Sequence, residues 1–171
     1  MPVQPLSTMS PKPISIRRAR RSDSEQFIDL VLALAKFEKL EPPSEEGQRR
    51  LLNDVFEKRR VRLFVAADGR KLAGYALYFY NYSSFVAKPS LYLEDLFVLK
   101  RYRKRGIGFA LFRRCVEEAI SSGCGRMEWN VLAWNEKALR FYEKLGARRL
   151  SEWHVYRLDE NGLKKVPKVV S

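Results

Sequence analysis

Leu91-Tyr92-Leu93-Glu94-Asp95-Leu96-Phe97-Val98-Leu99 runs directly into Lys100-Arg101-Tyr102-Arg103-Lys104-Arg105-Gly106-Ile107-Gly108, and this junction decides the fold. The first stretch is apolar except at Glu94 and Asp95, which predicts a central strand buried on both faces. The basic loop after it opens an amphipathic helix that ends near Gly123. A helix start presents unpaired N–H groups and the positive end of its dipole, and glycines let a ligand approach the backbone, so a pyrophosphate suits this loop. Read alone, the same residues also suit a glycine turn with a solvated basic run, because short glycine motifs are common.

Working outward, Ile14 to Arg20 alternates like a short strand, and Ser22 with Glu25 carries the pattern of a capping box. Phe27, Leu30, Val31, Leu34 and Phe37 keep helical spacing until Pro42 and Pro43 stop the helix. A second helix is expected from about Glu45 to Glu57, followed by strands Val61 to Ala67 and Lys71 to Tyr80 joined at Asp68-Gly69. Asn81 to Lys88 reads as an aromatic and polar loop. Downstream, Arg126 to Val131 reads as a strand, Glu136 to Leu145 as a helix closed by Gly146, and Leu150 to Leu158 as a last strand. The fold class is therefore α/β, a mixed central sheet flanked by about four helices. Residues 1–13 read as a disordered leader in which Met9 offers an alternative start, 14–160 as the folded domain and 161–171 as a basic tail.

A chain of 171 residues with 46% apolar content supports one substantial core. No apolar run is long enough to span a bilayer and none near the start resembles a secretory signal, so a cytoplasmic protein without a membrane role is expected. Cys115 and Cys124 lack zinc or redox spacing and read as reduced structural thiols; no metal is expected, and the single His154 is far from both. The net charge of +13 attracts polyanions, whether nucleic acid or a phosphate-rich cofactor, and charge alone does not choose between them.

Two motifs make the choice. Arg103-x-x-Gly106-x-Gly108 after a Leu-rich strand resembles the acetyl-CoA pyrophosphate loop of the GNAT superfamily of N-acetyltransferases. Asn135-Glu136-Lys137-Ala138-Leu139-Arg140-Phe141-Tyr142, followed by Gly146-Ala147, resembles that superfamily's second signature. Leu34 to Leu40, Tyr92 to Val98, Tyr102 to Gly108 and Ala133 to Glu136 are together similar to its spermidine/spermine and thialysine acetyltransferase branch, over about Ile14 to Leu158.

The resemblance implies a GNAT fold, a homodimer, acetyl-CoA as co-substrate and a small primary amine as acceptor, attacking directly in a ternary complex. It implies that the backbone of Leu96, Phe97 and Val98 pairs with the pantetheine arm, that Arg103, Lys104, Arg105, Gly106, Ile107, Gly108 and Phe109 surround the phosphates, and that Asn135, Glu136, Lys137 and Ala138 line the sulfur end. Tyr142 matches the family acid that protonates the leaving thiolate, and a phenol of ordinary pKa near 10 suits that task. Glu94 matches a proposed general base for the alkyl ammonium, with a β-bulge expected at Glu94-Asp95. Phe37, Glu38, Ser83, Glu128, Trp129, Asn130 and Glu152 match substrate contacts.

Ser83 stands where polyamine enzymes of the branch carry an aspartate, which shifts the expectation toward a lysine-like amine of the thialysine type. Acetylation of a protein lysine or N-terminus is the alternative within the enzyme class. A nucleic-acid-binding module is the alternative outside it, with nucleic acid possible as a secondary partner; the chain lacks an RNP pattern and zinc spacing.

Overall fold

The computed structural model describes residues 13–168; the leader expected over residues 1–13 lies outside these except for Pro13, as do the last three residues of the tail. The described residues form two compact units, divided after Asn130. The first contains a five-stranded mixed sheet in sequential order, β1 (Ser15–Arg18), β2 (Arg62–Asp68), β3 (Lys71–Ser83), β4 (Lys88–Val98) and β5 (Arg126–Glu128). The first four strands are antiparallel neighbours, and β5 alone runs parallel to β4.

Local chemistry sets these elements. Gly69, at φ 59°, occupies the first position of the two-residue turn between paired Asp68 and Lys71, a conformation that costs glycine little. Helix α1 (Ser24–Glu38) places Phe27, Leu30 and Leu34 against Leu63, Val65, Leu72, Tyr75, Leu77 and Phe97 of the sheet, and helix α2 (Glu45–Phe56) adds Val55 to the same cluster. Helix α3 (Ile107–Ser121) also packs on the sheet, burying Leu111, Phe112 and Cys115. Arg18 of β1 reaches α3 with both oxygens of Glu118 at 2.8 and 2.9 Å, and Tyr80 of β3 donates to the same carboxylate.

Several expectations change. The Ser22/Glu25 capping box is replaced by Asp23, a buried carboxylate that accepts from both terminal nitrogens of Arg17 and from the Arg20 N–H. The Arg17 fork and the Arg20 amide hold that carboxyl below its ordinary range against the opposing effect of burial. Strand β3 runs three residues beyond Tyr80 and β4 begins at Lys88, so most of the aromatic loop is a long hairpin. Strand β5 stops at Glu128, short of Val131.

In the second unit, helix α4 (Glu136–Lys144) is capped by the Asn135 side chain, which accepts from the Ala138 N–H at 3.3 Å. Residues 150–158 form no strand, contrary to the expectation for Leu150 to Leu158, and the stretch expected to be a tail begins with a short helix, α5 (Glu160–Lys165). None of the helices among the described residues is long and apolar enough to cross a membrane.

One close approach controls the C-terminal half of β4. A Cβ built on Gly74 of β3 falls 2.4 Å from the Phe97 carbonyl oxygen and 3.1 Å from Val98 Cα, so the two backbones meet only because residue 74 has no side chain. Gly74→Ala should cost about 2 kcal/mol, a fall of roughly 4–8 °C in Tm. An unchanged melting curve would show that β4 moves freely at this point.

Candidate active site

Strand pairing changes in the middle of β4. Leu93 pairs with Tyr78 and Asp95 with Leu77, adjacent residues on β3, so Glu94 is the extra residue of a β-bulge. The parallel ladder with β5 spans Ser90–Tyr92 against Arg126–Glu128 and ends two residues before that bulge. Beyond it, Leu96, Phe97 and Val98 remain paired with Ala76, Tyr75 and Gly74 of β3 and have no strand partner on the side that β5 occupies upstream, among the described residues. An extended chain with amide groups could add to that side as a strand would.

The bulge gathers carboxylates. Asp95 is half-buried and accepts a hydrogen bond from the fully buried Tyr75 hydroxyl at 3.0 Å. Burial pushes the Asp95 carboxyl up to about 6; the Tyr75 bond opposes this, while the charges of Glu94 and Glu38 add to it. Burial also raises the carboxyl of Glu38, at the last position of α1. The Tyr75 phenol is raised well above its ordinary value by burial first and then by Asp95, Glu38 and Glu94. Glu94 itself is exposed. Three acidic groups around one buried phenol make a site suited to a cation and capable of accepting its proton.

The loop after β4 is held by aromatic stacking. Arg103 donates from Nε to the Val98 carbonyl at 2.8 Å, and its guanidinium lies 4.7 Å over the Phe37 ring and 5.5 Å over Phe97. Arg101 and Arg105 lie 5.2 and 5.5 Å over the buried Tyr102 ring. Lys104 at φ 62° and Gly106 at φ 74° both turn left-handed, which brings the chain into the start of α3.

The first return bond of that helix is Ala110 N–H to Gly106 O, so the N–H groups of Ile107, Gly108 and Phe109 have no partner within the helix. A Cβ on Gly106 would meet nothing within 4 Å, and one on Gly108 only Val98 Cγ2 at 3.9 Å. Open space over both glycines, free helix-start donors and neighbouring guanidiniums fit a pyrophosphate. A hollow of about 230 Å³ beside Arg105, Gly106 and Ile107 lies against Ile14 and Ile16.

Of the residues singled out in the sequence, Phe37, Glu38, Glu94 and Leu96–Val98 come together around the bulge, joined to the loop by Arg103. Glu128 pairs in register with Tyr92, and its carboxylate lies 3.3 Å from Arg126 Nε. Trp129 packs edge-on against Phe112 of α3 at 5.3 Å, and exposed Asn130 follows it. Ser83 is buried in the hairpin turn, where its hydroxyl accepts from the Val86 N–H at 3.3 Å. It pairs with Lys88, six residues from Glu94 along β4, a separation of about 20 Å at the usual strand rise.

Asn135, Glu136, Lys137, Ala138 and Tyr142 belong to the cap and first turns of α4 in the second unit, where Phe141 and Tyr142 stack edge-on at 5.1 Å; Glu152 follows in a turn. Tyr75 received no catalytic or binding role from the sequence, where it is indistinguishable from a core aromatic; Asp95 is one of the carboxylates the sequence offers to an amine, and its direction depends on the bulge.

The profile of the Acetyltransferase (GNAT) family matches residues 28–147. The chain is 30% identical to thialysine N-epsilon-acetyltransferase of Bos taurus, an alignment covering 90% of this chain and 96% of that one. It is 41% identical to L-ornithine N5-acetyltransferase NATA1 of Arabidopsis thaliana over 57% of this chain, but spans only 43% of that protein's length. An integron cassette protein from the mobile metagenome of V. cholerae superposes with a TM-score of 0.75 at 26% identity, covering 91% of this chain and 98% of that one. The chain thus belongs to the GNAT family and is an acetyl-CoA-dependent N-acetyltransferase.

Proposed function

We propose that the enzyme acetylates a short, lysine-like primary amine, and that the acidic group at the β4 bulge receives that amine. The observation that carries this reading is the compactness of Glu38, Glu94 and Asp95 around Tyr75. One such group matches one ammonium, whereas a polyamine has charges spread along its length and calls for carboxylates spaced to match. Ser83, where the polyamine enzymes carry an acid, is buried in a turn at the far end of the hairpin. The +13 charge also disfavours the approach of a polycation. Two relatives bear the names of enzymes acting on ornithine and thialysine, amino acids with a side-chain amine.

Acetyl-CoA supplies an activated thioester. In this reading Leu96, Phe97 and Val98 offer their backbone to its pantetheine arm, while Arg103 through Phe109 present helix-start N–H groups and guanidiniums to its phosphates. Glu94, exposed at the bulge, takes the proton that an alkyl ammonium must lose before its nitrogen attacks. Asp95, held by Tyr75, fixes the charge that positions the ammonium. Asn135, Glu136, Lys137 and Ala138 line the sulfur end, Tyr142 donates a proton to the leaving thiolate, and Glu128, Trp129, Asn130 and Glu152 contribute to the acceptor side. These assignments rest on the motifs. The same reading makes the enzyme a homodimer, as the branch it resembles implies, and cytoplasmic, as two free cysteines permit; burial pushes the Cys115 thiol up to about 12, leaving it inert.

Acceptor choice is tested by comparing kcat/KM for lysine, ornithine, thialysine, spermidine, spermine and lysine-bearing peptides at one ionic strength. The lysine-like amines should lead; preference for spermine or for peptides would overturn the reading. Asp95 supplies a second test. Its carboxyl is neutral below about 6 in the folded protein, so kcat/KM should rise with pH through about 6 as the charge appears. Because the folded value is raised above the unfolded one, the stability this group contributes is complete below about 4 and is lost as pH rises through about 6. Asp95→Asn should therefore flatten the acid limb and lower kcat/KM at least tenfold, while Tm at pH 7.5 does not fall. An intact acid limb in that variant would assign the titration elsewhere.

A further inference from the structure

Glycine-loop chemistry accounts for only part of the positive charge. At the other end of β2 a cleft of about 410 Å³ opens between the β1–β2 edge and the end of α2, walled by Arg18, Arg21, Arg59 and Arg62 over Phe56 and Leu63. Arg62 marks the first residue of β2 and pairs with Tyr78, whereas the row leading to the glycine loop runs through Ala66, Gly74 and Val98. Four residues of β2 separate the two rows, about 13 Å at the usual strand rise.

The four guanidiniums are not equally engaged. Arg18 is committed to Glu118, and Arg21 pairs with Glu57. Arg59 and Arg62 have no carboxylate partner among the described residues. Their neighbour Arg60 is paired with Asp54 at 3.5 Å, so acidic groups nearby are already used. Two unneutralised guanidiniums beside two neutralised ones, in a concavity with apolar walls, focus a positive field.

Arg59 carries a second signal. Helix α2 ends with Glu57 and Lys58 N–H groups both returning to the Asn53 carbonyl and Arg60 N–H to that of Asp54, which leaves Arg59 in the turn at φ 52°. Glycine is the usual occupant of such a left-handed position after a helix, because a Cβ is strained there. An arginine stands in a backbone conformation that disfavours it, and it lines the cleft.

We propose that this cleft is a second anion site, distinct from the acetyl-CoA loop, that takes a compact organic oligophosphate such as a nucleoside triphosphate. The phosphate chain would lie between Arg59 and Arg62, whose planar forks match phosphate oxygens two at a time. Its organic portion would lie on the half-buried Phe56 ring, a surface that an inorganic anion leaves unused. The volume is that of a small-molecule site and too small for a folded macromolecular surface.

The test is a calorimetric titration of ATP, inorganic triphosphate and a single-stranded RNA oligonucleotide into the enzyme saturated with acetyl-CoA. One ATP per chain should bind, several-fold tighter than triphosphate, without displacing acetyl-CoA. Arg59→Gly and Arg62→Gln should each weaken ATP at least tenfold while acetyl-CoA affinity changes less than twofold. Arg59→Gly relieves the strained turn, so its Tm should hold or rise by roughly 2–4 °C, which separates loss of a ligand contact from loss of fold. The proposal is overturned if ATP fails to bind under saturation with acetyl-CoA, if Arg59→Gly binds ATP unchanged, or if only the RNA binds.

Discussion

The bulge at Glu94 is the constraint on which the site depends. By inserting one residue between the Leu93–Tyr78 and Asp95–Leu77 pairs, it turns β4 shortly after the strand leaves the β5 ladder. A regular strand would alternate Glu94 and Asp95 between the two faces and carry the pairing with β5 onward. With the bulge, one carboxylate is exposed and its neighbour is held by Tyr75, while the backbone of Leu96–Val98 lies beyond the last β4–β5 pair. Gly74 is the counterpart on β3, since its missing side chain lets the displaced strand stay paired.

Charge is separated along the same stretch of chain. The acidic group occupies the bulge, and within ten residues the chain carries the arginines and lysine of the phosphate loop. Arg103 joins the two regions, because its Nε is fixed to Val98 O and its guanidinium to the rings of Phe37 and Phe97. Stacking on Phe37 and Tyr102 keeps the cationic groups in place without carboxylate partners that would cancel their field. Opposite fields are thus built on adjacent stretches of chain, as the proposed pairing of an anionic donor with a cationic acceptor requires.

Much of this was legible in the residues. Helical spacing marks α1 through Phe27, Leu30 and Leu34, Asp68-Gly69 marks a hairpin, and the two motifs mark the family. What failed was decided by partners distant in sequence or by competing local donors. Leu150 to Leu158 holds Trp153, Val155 and Tyr156, residue types that favour strands, but a strand exists only where another chain segment completes its ladder, and residues 150–158 have none. Ser22 had the pattern of a cap, yet Asp23 bonds the Arg20 amide with Arg17 closing on it. Arg103 reads as a phosphate ligand in the motif, while its fixed bonds are to Val98 and two rings. Asp95 could not be distinguished from Glu94 until the bulge gave each a direction.

In the proposed reading the extra residue in β4 creates the cofactor edge and sorts the carboxylates. Deleting Glu94 tests it most directly, because Leu93–Tyr78 and Asp95–Leu77 then become consecutive pairs and every other pair in the β3–β4 ladder is preserved. Acetyl-CoA affinity of the folded deletion variant, measured by calorimetry, should fall at least a hundredfold although the circular dichroism of the sheet is retained. Binding at the affinity of the unmodified enzyme would contradict the account, since the cofactor edge would then exist without the bulge.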